Sequence, residues 1–200
     1  TIWEDAPGLF NYIANCQSML QAGKPDNETL LYYPVYDTWG KSLDGNLFFQ
    51  FKIHSLKEWL HGTPFYDTTK KLMDNGYGVD FVSDSFIAQA TVKDGMLVLP
   101  GGSYKSLVVP NCDKMPLATL EKLIALKKAG ASIIFEGLPE SVPGFKDYEV
   151  QNGKLATLLS DNKAIVNPVD DLFKAVQSAN IQPEDLVKTG LKFIRRDLDG

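Results

Sequence analysis

Histidine and cysteine are scarce in this chain: of 200 residues, two are His (His54 and His61) and two are Cys (Cys16 and Cys112). Neither cysteine has a second Cys or a His beside it at metal-ligand spacing, so no metal site is expected and two reduced or buried thiols are the simplest reading. A disulfide is not needed to hold a domain of this length. A basic excess is also missing. The 20 Lys and Arg against 25 Asp and Glu leave a formal charge of -5 at pH 7, the wrong sign for neutralising a phosphate backbone, and nucleic acid is not an expected partner. No run approaches the roughly 18 to 20 apolar residues of a membrane span, and the N-terminus lacks the basic start and apolar core of a secretion signal, so no membrane partner is expected. After the first apolar run the chain reads Pro34-Val35-Tyr36-Asp37-Thr38-Trp39-Gly40, without the glycine spacing that cradles a nucleotide phosphate. No cofactor is expected.

What the chain does have is 44% apolar content, enough for one sizeable core. Phe10, Ile13, Ala14, Met19 and Leu20 recur mostly at three- and four-residue spacing before Gly23, which predicts an amphipathic helix of about four turns. Five short apolar runs follow, at 29–33, 79–83, 106–109, 132–135 and 164–166, separated by helical patterns near 66–75, 117–128, 146–159 and 169–179. Continuous apolar runs are what strands buried on both faces show, and strands alternating with helices must join in parallel through crossovers. The expected fold is therefore an α/β three-layer sandwich with a mainly parallel sheet, of flavodoxin-like or class I glutamine-amidotransferase-like type. An Asp94-Gly95 turn between 90–92 and 96–99 predicts a small β-hairpin flap near 90–99. Expected boundaries are an N-terminal helix over 1–27 leading from an upstream domain, the α/β domain over 28–190, and the start of a following domain over 191–200. That last stretch reads as a strand without its partner, which predicts a piece of a longer protein.

Parallel sheets bind ligands at the carboxyl ends of their strands. Two features there are candidates. The first is the excursion at about 34–65, long for a strand-to-helix connection, with some helix expected near 54–61. It gathers Asp37, Trp39, His54, Trp59 and His61, with Tyr66 just beyond, and aromatic faces next to carboxylates and imidazoles suit an oligosaccharide, whose C–H face stacks while its hydroxyls take hydrogen bonds. The same rings equally suit a satellite core beneath a long loop, or an interdomain contact. Asp37, Asp44 and Glu58 could be imagined as paired glycosidase carboxylates, but no spacing fixes two of them at the required separation. The second feature is Val109-Pro110-Asn111-Cys112, which invites a cysteine-nucleophile reading. In amidotransferase-like folds the nucleophile follows the next strand, where this chain carries Glu136, and both histidines lie upstream of Cys112. Asp80 and Asp84, around the second strand's end, read as turn and helix-capping carboxylates.

The segments Tyr12-Ile13-Ala14-Asn15-Cys16-Gln17-Ser18-Met19-Leu20-Gln21-Ala22-Gly23-Lys24, Tyr33-Pro34-Val35-Tyr36-Asp37-Thr38-Trp39, Gly76-Tyr77-Gly78-Val79-Asp80-Phe81-Val82-Ser83-Asp84 and Leu99 to Pro110 resemble glycoside hydrolases of family 106, the α-L-rhamnosidase type. The trimerisation domain of family-42 β-galactosidases is similar in layout. The resemblance implies an accessory domain after a catalytic barrel. Catalytic carboxylates and any calcium would then lie in the barrel, other domains of the parent enzyme would be the partners, and the parent would be periplasmic or secreted. It carries no catalytic residue onto this chain. It also predicts an exposed apolar patch where the domain would meet the barrel.

Overall fold

The computed structural model describes residues 2–40 and 56–198. In chain order these form α1 (Ile2–Gln21), β1 (Lys24–Pro25), β2 (Thr29–Tyr32), α2 (Val35–Trp39), α3 (Leu56–Trp59), α4 (Pro64–Asp74), β3 (Val79–Val82), α5 (Asp84–Gln89), β4 (Thr91–Lys93), β5 (Met96–Leu99), β6 (Gly102–Tyr104), β7 (Ser106–Val109), α6 (Leu117–Lys128), β8 (Ser132–Phe135), α7 (Tyr148–Asp161) and α8 (Leu172–Ser178). A 3-10 turn over Asp185–Thr189 and β9 (Arg196–Asp197) complete the described chain.

The central sheet is parallel throughout, in the order β3-β2-β7-β8, with Leu30 opposite Asp80 and Leu107, and Leu107 opposite Ile133. Because side chains along a strand point alternately to opposite faces, each apolar run feeds two cores. Leu30, Tyr32, Leu107, Val109, Ile133 and Phe135 face one layer, where Ile87 of α5, Leu120 and Leu123 of α6 and Leu155 of α7 meet them. Leu31, Val108 and Ile134 face the other, against Phe65 and Leu72 of α4 and Leu172 and Val176 of α8. The expected α/β sandwich with helices on both faces is thus observed. Full burial of one such side chain contributes about 1.5–3 kcal/mol, which is why runs of only four residues suffice when both faces are covered.

Two local expectations need correction. Residues 164–166 are not a strand: the N–H groups of Ile165 and Val166 both bond to the carbonyl of Asn162, at 2.7 and 3.0 Å. The turn closing α7 thus uses the donors a strand would offer. Val166 is nonetheless fully buried, so the apolar signal reported packing, and only the Val169 N–H reaches β8, bonding Phe135 O at 2.8 Å. The flap has a third strand, in the order β4-β5-β6. Its predicted turn is present, with Asp94 at φ 52° and Gly95 at φ 77°, the positive pair that matches hairpin twist.

The tail returns to the start of the domain. β9 pairs antiparallel with β1, Lys24 opposite Asp197 and Pro25 opposite Arg196. Among the described residues no helix is long and apolar enough to cross a membrane.

Candidate functional site

Strand order reverses direction between β2 and β7, and in an open parallel sheet the crevice outside the carboxyl ends at such a point is where ligands bind. A pocket of about 180 Å3 lies there. Its walls come from three segments: Pro34, Asp37, Thr38 and Gly40 after β2; Thr63, Pro64 and Phe65 at the start of α4; Asn111, Cys112, Asp113 and Lys114 after β7. The volume bounded by these described walls is below the roughly 300–1,000 Å3 of ordinary small-molecule sites.

Two of the pocket's polar side chains, Asp37 and Thr63, are already engaged. Asp37 sits on α2, and its two carboxylate oxygens accept the backbone N–H groups of Asp113 at 2.8 Å and Lys114 at 2.7 Å. It therefore clamps the loop after β7. Burial pushes the Asp37 carboxyl above its ordinary value, against the opposing pull of those two N–H groups. Thr63 caps α4, accepting from Tyr66 N at 3.1 Å and donating to Leu60 O at 2.7 Å, with Pro64 at the first helical position where its missing N–H costs nothing.

Cys112 forms part of the floor at 2% exposure. Burial first, then the negative fields of Asp37, Asp113 and Asp84, push its thiol up to about 12. An active nucleophile needs the opposite shift. Beneath it, Tyr32 OH donates to Asp84 at 3.0 Å and Thr119 Oγ1 donates to the same oxygen at 2.6 Å, tying β2, α5 and α6 together. Burial and the Asp84 charge raise the Tyr32 hydroxyl well above its usual range.

The described candidate residues take different surroundings. Asp37 lines the pocket, while Trp39 is 55% exposed with Tyr36 edge-on to it at 5.6 Å. Trp59 is half-buried at the end of α3. His61 stacks on Tyr66, ring centroids 4.3 Å apart and 17° from parallel. His54 and Asp44 lie outside the described residues. Glu136, at the position an amidotransferase-like nucleophile would occupy, accepts a hydrogen bond from buried Thr68 and has Lys71 at 4.0 Å, so it fastens β8 to α4.

Asp84 does begin α5, but Asp80 is no cap. It lies inside edge strand β3, accepting from Asn27 Nδ2 at 2.8 Å and Tyr104 OH at 2.9 Å. Sequence reasoning did not single out Thr63, Asn111 or Lys114 as pocket walls. The Thr63-Pro64 pair, a cap followed by a first-turn proline, was the available signal for the first. Among the described residues no three His, Cys, Asp or Glu side chains gather in a way that could hold a metal ion.

The profile of glycoside hydrolase family 106, described as alpha-L-rhamnosidase, matches residues 54–199. The chain belongs to this family. Family 106 membership thus covers His61, Tyr66, Cys112 and Glu136 but begins after Asp37 and Trp39. The family-106 chain also aligns over its whole length, at 26% identity across 208 residues, with a Formosa agariphila protein named "Putative beta-glucuronidase", of which it spans 15%. No solved structure matches it.

Proposed function

We propose that this family-106 chain is a non-catalytic accessory domain of a carbohydrate-degrading glycoside hydrolase, whose 36–66 segment shapes the rim of an active site on a neighbouring domain. The observation that carries this is the state of the switch-point pocket. Where this architecture usually places its ligand, Asp37 is spent on two backbone N–H groups, Cys112 is a buried thiol with a raised pKa, and Glu136 is held by Thr68. Among the described residues no histidine lines the pocket, and burial with the nearby carboxylates favours the Cys112 thiol over its thiolate, which speaks against a cysteine hydrolase using Cys112. Trp39 favours a role at the rim: a half-exposed indole beside Tyr36 at the ligand end of the sheet is a stacking surface for a sugar face. The same ring supports a second reading, a glycan-binding module acting through Trp39 and Trp59, with its own signature in a saturable change of tryptophan fluorescence on adding oligosaccharides.

Assaying the purified chain against aryl α-L-rhamnosides and aryl β-D-glucuronides tests the proposal, these being the sugars named for the family and for the Formosa agariphila relative. No release of the aryl group above the buffer rate is expected. Saturable turnover that tracks the protein through purification would overturn the non-catalytic reading.

A further inference from the structure

Helix α1 is long, apolar on one side, and almost untouched. Every residue from Trp3 to Leu20 except Ala6 and Cys16 is exposed. Ala6, Leu9, Ile13, Cys16 and Leu20 follow one another at alternating three- and four-residue steps, the spacing by which one helix seats its knobs in a facing surface. Leu9 stands 57%, Ile13 39% and Leu20 49% open to water, and Phe10 and Met19 widen the stripe at 60% and 70%. Intrinsic propensity does not account for such a helix: Pro7 and Gly8 fall in its first turns and Asn11 and Asn15 follow. Isolated helices of this length are marginal even with good formers, and most helical stability comes from packing an amphipathic face.

Its C-terminal end is held firmly by described residues. α1 has no basic residue in its last turn. Arg196, from the far end of the chain, supplies that charge instead, with Nε donating to Ala22 O and Nη2 to Gly23 O, both at 2.9 Å. The β1–β9 ladder adjoins this cap, and Arg195 crosses it to Glu28 at 2.8 Å and to Asp26 O. At Gly23 a Cβ would fall 1.9 Å from Asp197 O, so the approach of the two segments is as close as backbone allows. The clasp fixes the direction in which α1 leaves the domain.

We infer that the α1 stripe is a docking face for an apolar, helix-bearing surface of another domain of the same polypeptide, held at a set angle by the Arg196 clasp. This rests on the accessory-domain reading. The occupant is argued from the relative: its aligned segment spans the whole of this chain, α1 included, and makes up 15% of its length, so there the counterpart of α1 belongs to a much longer polypeptide.

Cys16, in the middle of the stripe, is the probe, because buried Cys112 is a silent second thiol. Maleimide labelling is followed in the 200-residue chain and in the full-length gene product that carries it. Cys16 is expected to react at the rate of an open thiol in the chain and at least tenfold more slowly in the full-length protein. Ile13→Asp should restore fast labelling in the full-length protein while leaving the unfolding midpoint of the 200-residue chain unchanged. Equal rates in the two forms, or protection that Ile13→Asp does not relieve, would overturn the inference. Protection that appears in the chain alone and grows with its concentration would overturn it too, in favour of a second copy as occupant. If rates are equal while hydrolysis is confined to the full-length protein, the docking face fails and the accessory role stands.

Discussion

Replacing Asp37 measures how much of the pocket is structure. Both carboxylate oxygens accept backbone N–H groups, at 2.8 and 2.7 Å, and a hydrogen bond to a charged group contributes about 1.5–3 kcal/mol when sheltered. Shelter is unequal, since Asp113 is exposed and Lys114 half-buried. Water replaces the first acceptor in the variant, and the second N–H bears most of the loss. Asp37→Ala should therefore cost about 2 kcal/mol at pH 7, one such bond with a small remainder for the other. Asp37→Asn should cost about 1–2 kcal/mol, because its single oxygen serves one N–H while its amide sets a donor against the other. Urea unfolding followed by tryptophan fluorescence reads both as shifts of midpoint at constant slope. The pH dependence supplies an independent sign. With its folded-state pKa raised by burial, Asp37 holds a proton more tightly in the native state, so the cost of its buried charge is complete above the raised value and gone below the ordinary one near 3.9. The advantage of wild type over Asp37→Asn should then widen as pH falls from 7 through the range just above 4. Variants within about 0.3 kcal/mol of wild type at pH 7 would refute the clamp and return Asp37 to the list of groups free to meet a ligand, whereas a gap that narrows on acidification would show that the two N–H bonds outweigh burial at this carboxyl.

Two further substitutions test the clasp. Gly23→Ala places a side chain at φ 62° and drives its Cβ into Asp197 O; the left-handed conformation alone costs about 1–2 kcal/mol. β9 should release, seen as fast exchange of the Asp26 amide, which otherwise bonds Arg195 O at 3.3 Å, whereas a protected Asp26 amide in the variant would show the clasp is not so tight. Glu28 lies between Lys105 and Arg195, and although burial alone would raise its pKa, the bonds from those cations hold it below the usual carboxylate range. Its contribution is complete above about pH 4.3 and lost as pH falls through the depressed value. Glu28→Gln should cost about 1 kcal/mol at pH 7 and progressively less as the medium is acidified below about pH 4.3, by denaturant midpoint; a gap independent of pH would mean the ion pairs do not supply it.

The fold was legible where one physical cause dominated. Runs such as 106–109 could only be strands covered on both faces, and the Asp94-Gly95 turn left the hairpin little choice. Residues 164–166 misled because burial and strand pairing leave the same apolar mark, and only the donors taken by Asn162 O separate them. The third flap strand escaped because Gly102-Ser103-Tyr104 is too short and polar to stand out, and takes its place from pairing with β5.

The site was less legible for a different reason. Residue type announces what a side chain could do, while function depends on what is left after its neighbours have used it. Asp37, Cys112 and Glu136 are the kinds of residue that open a mechanism, and each stands at the ligand end of the sheet as the sequence order requires. Two backbone N–H groups, three nearby carboxylates and one threonine hydroxyl decide otherwise. Apart from Asp113, the neighbour of Cys112, those partners lie 28 to 77 residues away, and neither periodicity nor motif spacing reports them. The α1 stripe is the converse case. Its pattern was plain in the sequence as an amphipathic helix, expected to lead from an upstream domain. Exposure of Leu9, Ile13 and Leu20 leaves that face without cover from the described residues of this domain, which is what the docking inference builds on.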